Sequence, residues 1–334
     1  MISRGRLVQL VKIAITIGIL ALLAWQFDFR SIVGILSSIS IAAVAASIAV
    51  LFVQTAILAV RLKSIVLIFN ARLRLSESYR VTIESMFFSQ TFVSIIGGDG
   101  FRIWRIRRLG LPLADATAAV ILDRLIGTLI NHICLLASLP WFVMILPTGL
   151  LKIVLIVLAA GGVAGFLFLL IVGYMRGRLG LFRRLPERYR EASIVVFLLE
   201  AISVGRFFVL HWRQLIGVFV LCALIAVCNM VMFGLILVGM GVDLRIAAEC
   251  ALLVPAILEI AMIPISIAGW GIREAATVLA FGALGLSADR AVGASVAFGL
   301  ITTAVSLLGG LLWFTDRRQM GVQTLERTGE ASGS

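Results

Sequence analysis

Long apolar runs separated by short polar clusters dominate the chain. Six of them, 13–27, 39–60, 119–146, 151–173, 215–238 and 291–314, are nearly free of charge. A bilayer core takes about 20 apolar residues per helical crossing, so each predicts a transmembrane helix. Spanning strands would instead alternate over about ten residues, and that pattern is not evident. Two further runs are apolar but laced with polar groups. Residues 81–96 carry Thr82, Glu84, Ser85, Ser89, Gln90, Thr91 and Ser94 and end in Gly97-Gly98-Asp99-Gly100. Residues 246–268 carry Glu249, Pro255, Glu259 and Pro264, end in Gly269-Trp270-Gly271, and are followed by a short apolar arm, 275–285. Both predict re-entrant hairpins, since irregular backbone survives at membrane depth only where protein or a wet cavity surrounds it. Residues 192–210, with Glu200 and Arg206, predict an interfacial or cavity-lining helix.

Composition agrees with an all-α integral membrane protein. Hydrophobic residues make up 61% of the 334 and charged residues 14%, too few charges to cover a soluble surface. The 29 Lys and Arg against 17 Asp and Glu leave a formal charge of +12. These bases flank apolar runs, so they set topology and do not point to nucleic acid. With basic loops inside, six spans and two half-way hairpins place both termini in the cytoplasm of an inner-membrane protein. The first run has no small-residue cleavage site after it and predicts an uncleaved helix. Residues 1–318 then form one polytopic domain, divided at about 1–173, a basic linker at 174–213, and 214–318, with a disordered cytoplasmic tail at 319–334. Cys134, Cys222, Cys228 and Cys250 all lie in apolar stretches with no metal-ligand spacing, and predict buried small hydrophobes.

The two hairpins resemble each other. Gly98-Asp99-Gly100-Phe101-Arg102 and Gly269-Trp270-Gly271-Ile272-Arg273 share the pattern Gly-x-Gly-apolar-Arg. Leu109-Gly110-Leu111 with Ala114-Asp115, and Leu284-Gly285-Leu286 with Ala288-Asp289, follow in the same order. One hairpin entering from inside and the other from outside makes an inverted repeat, a transporter plan whose substrate site lies near the midplane.

Three signatures then combine: Gly98-Asp99-x-x-Arg102, the Asp123-Arg124 pair, and Pro264-x-Ser266-x-x-Gly269-x-Gly271-x-Arg273-Glu274. Together they resemble the lysylphosphatidylglycerol synthase transmembrane region, or flippase-like domain family, from the first span to the last. Two-part members carry a soluble domain that attaches lysine to phosphatidylglycerol. Only a short stretch follows Phe314 here, so the resemblance implies the lipid-handling membrane half.

Charges at membrane depth are costly, about 2.5 kcal/mol or more each, and face a cavity or a partner. Arg102 and Arg105 lie one turn apart on the helix expected after the glycines. With Asp99 capping that helix, its N–H groups and two guanidiniums suit a phosphate. Adjacent Asp123 and Arg124 point about 100° apart and must pair elsewhere: Asp123 with Arg102, Arg124 with Glu84. Arg273 and Glu274 pose the same question, and Glu259 is placed to reach Arg273. The candidate substrate site is therefore Gly98, Asp99, Arg102, Arg105, Asp123, Arg124, Glu259, Gly269, Gly271, Arg273 and Glu274, with Glu84 or Glu259 as a carrier of a coupling proton. No catalytic residue, metal or cofactor is assigned, and the chain has no Gly-x-x-x-x-Gly-Lys-Ser/Thr loop for ATP. The expected function is translocation of an anionic, phosphate-bearing lipid, with membrane lipids as partners and a homo-oligomer or partner enzyme possible. A membrane-embedded transferase or its accessory subunit, and a carrier of a soluble anion, are the alternatives.

Overall fold

The computed structural model describes residues 34, 36–91, 95–145, 149–179, 193–263, 266 and 268–331, and every regular element among them is a helix. The expected first span, 13–27, and the basic stretch 180–192 lie outside these residues. In chain order the helices are α1 (Ile41–Ile68), α2 (Leu75–Thr91), α3 (Ile95–Arg108), α4 (Leu113–Ile145), α5 (Leu150–Leu179), α6 (Ser193–Gly239), α7 (Leu244–Leu252), α8 (Val254–Ala261), α9 (Ile272–Gly282) and α10 (Ala288–Ala331).

Four helical stretches are long and apolar enough to cross a bilayer: Ile41–Ile68, Leu113–Ile145, His211–Gly239 and Ala288–Thr315. A shorter apolar stretch, Lys152–Phe168, lies in α5. Ile153, Val157, Leu167, Phe168 and Leu311 are exposed. That much bare apolar surface suits lipid and not water. The chain is thus a multi-pass helical membrane protein. The helix α10 is its centre: 61% of its apolar window is buried, against 17–28% for the other three.

α1 and α6 pack along their length and run antiparallel. At one end the Ser40 N–H donates to Gly239 O, 3.0 Å away. Midway Gln54 Nε2 donates to Asn229 Oδ1, 2.9 Å. At the other end Ile65 and Leu215 share a core with Leu122, Ile126 and Val218. α6 departs from helical geometry at His211 (φ −116°, ψ 18°), where the sequence predicts a boundary between an interfacial helix and a span. α2 and α3 pack on each other; α2 also packs on α10, while α8 packs on α4. Phe233, Phe281 and Phe298 join α6, α9 and α10 in the largest core.

One local expectation changes. The glycines after residue 96 do not make the turn of the first hairpin, because α3 begins at Ile95 and takes them into its opening turns. Gly98 is needed there for proximity: a Cβ at this position would lie 1.8 Å from Ser89 Oγ on α2. Tight packing against α2 compensates the low helix propensity of these glycines. α10 continues to Ala331.

Candidate functional site

A cavity of about 260 Å³ lies among α1, α2, α3, α4 and α6. Helical periodicity builds its wall. α1 contributes Gln54, Leu58 and Arg61, and α6 contributes Cys222, Ile225 and Asn229; α4 contributes Asp123, Arg124, Gly127, Thr128 and Asn131. Each set recurs at three- and four-residue steps, so each shares one helix face. Ser89, Asp99, Arg102 and Met262 complete the lining.

Asp123 is the hub, and only 3% of its side chain is exposed. Arg61 Nη2 donates to its Oδ2 at 2.8 Å, and Arg61 Nε lies 2.6 Å from Oδ1. Arg102 Nη1 donates to the same Oδ2 at 2.7 Å. Arg61 Nη1 also donates to Cys222 Sγ, 3.4 Å away. Arg124 pairs with Asp99. Three guanidiniums thus face two carboxylates, leaving the cavity one positive charge in excess. Besides Arg61 Nε and Asp123 Oδ1, which face each other, two buried atoms on its lining residues, Arg102 Nε and Gln54 Oε1, have no hydrogen-bond partner among the described residues. Buried polar groups are usually paired, which sets this donor and this acceptor apart.

The expected residues fall into three places. Asp99, Arg102, Asp123 and Arg124 come together at the cavity, and the pairing of Asp123 with Arg102 is as the sequence predicts. Gly98 lies in the α2–α3 contact. Arg124 pairs with Asp99 and not with Glu84, and Asp99, four residues inside α3, holds Arg124 instead of capping the helix. Arg105 turns away from Arg102. Its Nε lies 3.4 Å from Glu84, whose other oxygen is 2.9 Å from Arg80 Nε. Glu84 is fully buried, and Arg80 Nη2 donates to Leu312 O at 3.0 Å. This second Arg–carboxylate–Arg cluster ties α2 and α3 to α10. Glu259 does not reach Arg273; its Oε1 accepts from Asn131 Nδ2 at 2.9 Å.

Arg273 and Glu274 form a separate, closed cluster. Arg273 Nη2 donates to Glu274 Oε1 at 2.9 Å, and its Nε donates to Ser295 Oγ at 3.0 Å. Ser295 Oγ donates to Glu274 Oε1 at 2.7 Å. The guanidinium lies 4.9 Å from the Trp270 ring centre and 5.5 Å from that of Phe298. The turn before it needs its glycines. Gly269 and Gly271 have φ of +79° and +84°, a region that penalises side chains. The N–H of Gly271 donates to Glu274 Oε2 at 2.5 Å, so Glu274 closes the start of α9 as well as holding Arg273.

Sequence reasoning missed Arg61, Gln54, Asn131 and Asn229. Arg61 reads as the first base of a cytoplasmic loop, yet α1 continues to Ile68 and buries it. The available signal was Gln54, an amide two turns earlier on the same face of an apolar run. Asn229 is its counterpart in α6.

The described residues thus form a multi-pass helical membrane bundle with a charged, arginine-rich cavity. The profile of the lysylphosphatidylglycerol synthase TM region matches residues 9–310, and the chain belongs to that family. A comparison with curated proteins finds no match.

Proposed function

We propose that the chain moves a lipid with an anionic, phosphate-bearing headgroup across the inner membrane. The cavity takes the headgroup while the lipid tails stay in the bilayer. The observation that carries this reading is the arginine excess at the cavity wall, with Arg102 Nε buried beside it and without a hydrogen-bond partner among the described residues. Planar guanidiniums recognise phosphate oxygens geometrically as well as by charge. Gln54 Oε1, likewise without a partner among the described residues, suits a hydroxyl on the headgroup.

Alternating exposure of the cavity follows from an inverted repeat with two re-entrant hairpins, and three features support that plan. α1 and the second part of α6, which hold matching places in the two halves, cross antiparallel. Gln54 and Asn229, 175 positions apart, bond to each other, and the paired Leu-Gly-Leu segments at 109 and 284 have the same separation. α2 packs across on α10 as α8 packs across on α4. The distribution of basic loops supports cytoplasmic termini.

The test is native mass spectrometry of lipids retained by the purified full chain. Wild type is expected to retain one anionic lipid class that Arg102→Gln loses. Equal, unselective lipid loading in both proteins would overturn the reading. Retention of a water-soluble phosphate compound in place of lipid would favour a soluble-anion carrier.

A further inference from the structure

Five carboxylates, Glu84, Asp99, Asp123, Glu259 and Glu274, fall into two kinds. Glu84, Asp99, Asp123 and Glu274 each hold at least one arginine. Protonating any of them would strand a cation at depth, so they are fixed charges. Glu259 is different. It is half-buried on α8, and its hydrogen-bond partner is the neutral amide of Asn131. No cation lies within ion-pair distance of it among the described residues.

The surroundings complete the case. α8 packs on α4, α6, α7 and α9. From α4, His132 and Arg124 are the titratable and charged groups that face Glu259. His132 Nδ1 is 2.7 Å from Thr128 O, and Arg124 is engaged with Asp99. On α9, Arg273 and Glu274 satisfy each other; on α7, Arg245 pairs with Glu249. Residues 214–239 of α6 contain no charged side chain, only Cys222 and Cys228 as titratable groups. Glu259 is therefore free to change charge without breaking an ion pair. Asn131, its partner, lines the cavity beside Arg124.

We propose that Glu259 is a proton-binding site, linked through Asn131 to the occupant of the cavity, and that it couples a transmembrane proton gradient to headgroup movement. This rests on the translocator reading above. The chemistry is one reversible step. A proton from water on one side bonds to a carboxylate oxygen of Glu259, and the same O–H bond breaks when the proton leaves to the other side. Oε1 keeps the Asn131 hydrogen bond, so Oε2 is the oxygen that takes the proton. An anion arriving beside Arg124 and Asn131 repels a charged Glu259 and favours its protonated form. By linkage, protonation then favours the anion equally. Glu84, between Arg80 and Arg105, is excluded from this role by its two cations.

Two measurements on the purified full chain test it. The first is infrared difference spectroscopy across pH, which reads the protonated-carboxyl stretch directly and needs no substrate. A band that titrates in wild type, vanishes in Glu259→Gln and returns in Glu259→Asp is expected. A band unchanged by Glu259→Gln, or no titrating band between about pH 4 and 10, overturns the site. The second uses vesicles of phosphatidylethanolamine and phosphatidylglycerol carrying fluorescent phosphatidylglycerol. An imposed pH gradient is expected to speed probe movement about tenfold in wild type and not in Glu259→Gln. Gradient dependence that survives in Glu259→Gln overturns the coupling and leaves the translocator reading standing. If wild type moves no probe, the translocator reading fails for that lipid, and the infrared result alone decides the proton site.

Discussion

The two Gly-x-Gly-apolar-Arg motifs share a sequence pattern and have opposite fates. In the first, the glycines lie inside α3 and Arg102 reaches 21 residues on, to Asp123, at the edge of a cavity. In the second, the glycines form a left-handed turn, and Arg273 reaches the neighbouring Glu274 and then Ser295, 22 residues on. Both arginines thus reach the helix after their own hairpin. What differs is the charge balance. Arg273 is neutralised by one acid and enclosed by Trp270 and Phe298. Asp123 must serve two arginines, Arg61 and Arg102, with the cavity alongside. A local motif positions a cation; whether that cation is closed into the fold or lines a cavity depends on which acids and rings the rest of the bundle brings to it.

Substitutions can break this comparison, and the largest effect is expected in the closed cluster. Arg273→Gln leaves Glu274 buried without its cation, which costs about 3–5 kcal/mol. Thermal unfolding in detergent should show a large fall in Tm, while any folded protein keeps the lipid selectivity of wild type. Loss of selectivity with an unchanged Tm would make the second motif a binding site after all. Next comes Asp123→Asn, which leaves Arg61 and Arg102 facing a neutral amide. A loss of about 3 kcal/mol is expected in the same melt, together with changed lipid retention, since this acid orients a cavity arginine. Arg102→Gln should do less to the melt, because Asp123 keeps Arg61, and more to retention. The smallest effect belongs to Arg245→Ala. Its side chain is 80% exposed in an i,i+4 pair with Glu249, and such pairs contribute less than about 1 kcal/mol. A Tm near that of wild type is the expected control.

Much of this was legible in advance because membrane helices must satisfy their own backbone within the span. Apolar length alone therefore locates α1, α4, the second part of α6, and α10. The break at His211 was legible too, from Glu200 and Arg206 in the preceding run. Four of the five charged residues of the cavity could be named because charge at depth is scarce, so Asp99, Arg102, Asp123 and Arg124 stand out. Arg61 did not, since a base at the end of an apolar run looks the same whether it faces cytoplasm or turns back on an acid 62 residues away. Gln54 and Asn229 were passed over because uncharged amides barely disturb an apolar pattern.

Helical class, membrane residence and the two glycine–arginine motifs follow from the sequence by itself, because they depend on composition and local spacing. The partners were decided only by the tertiary structure. Arg124 holds Asp99 and not Glu84, Arg105 holds Glu84, and Glu259 rests on Asn131 while Arg273 closes on Glu274. Ion pairs and hydrogen bonds act over about 3 Å, and helix packing alone determines which faces come within that distance.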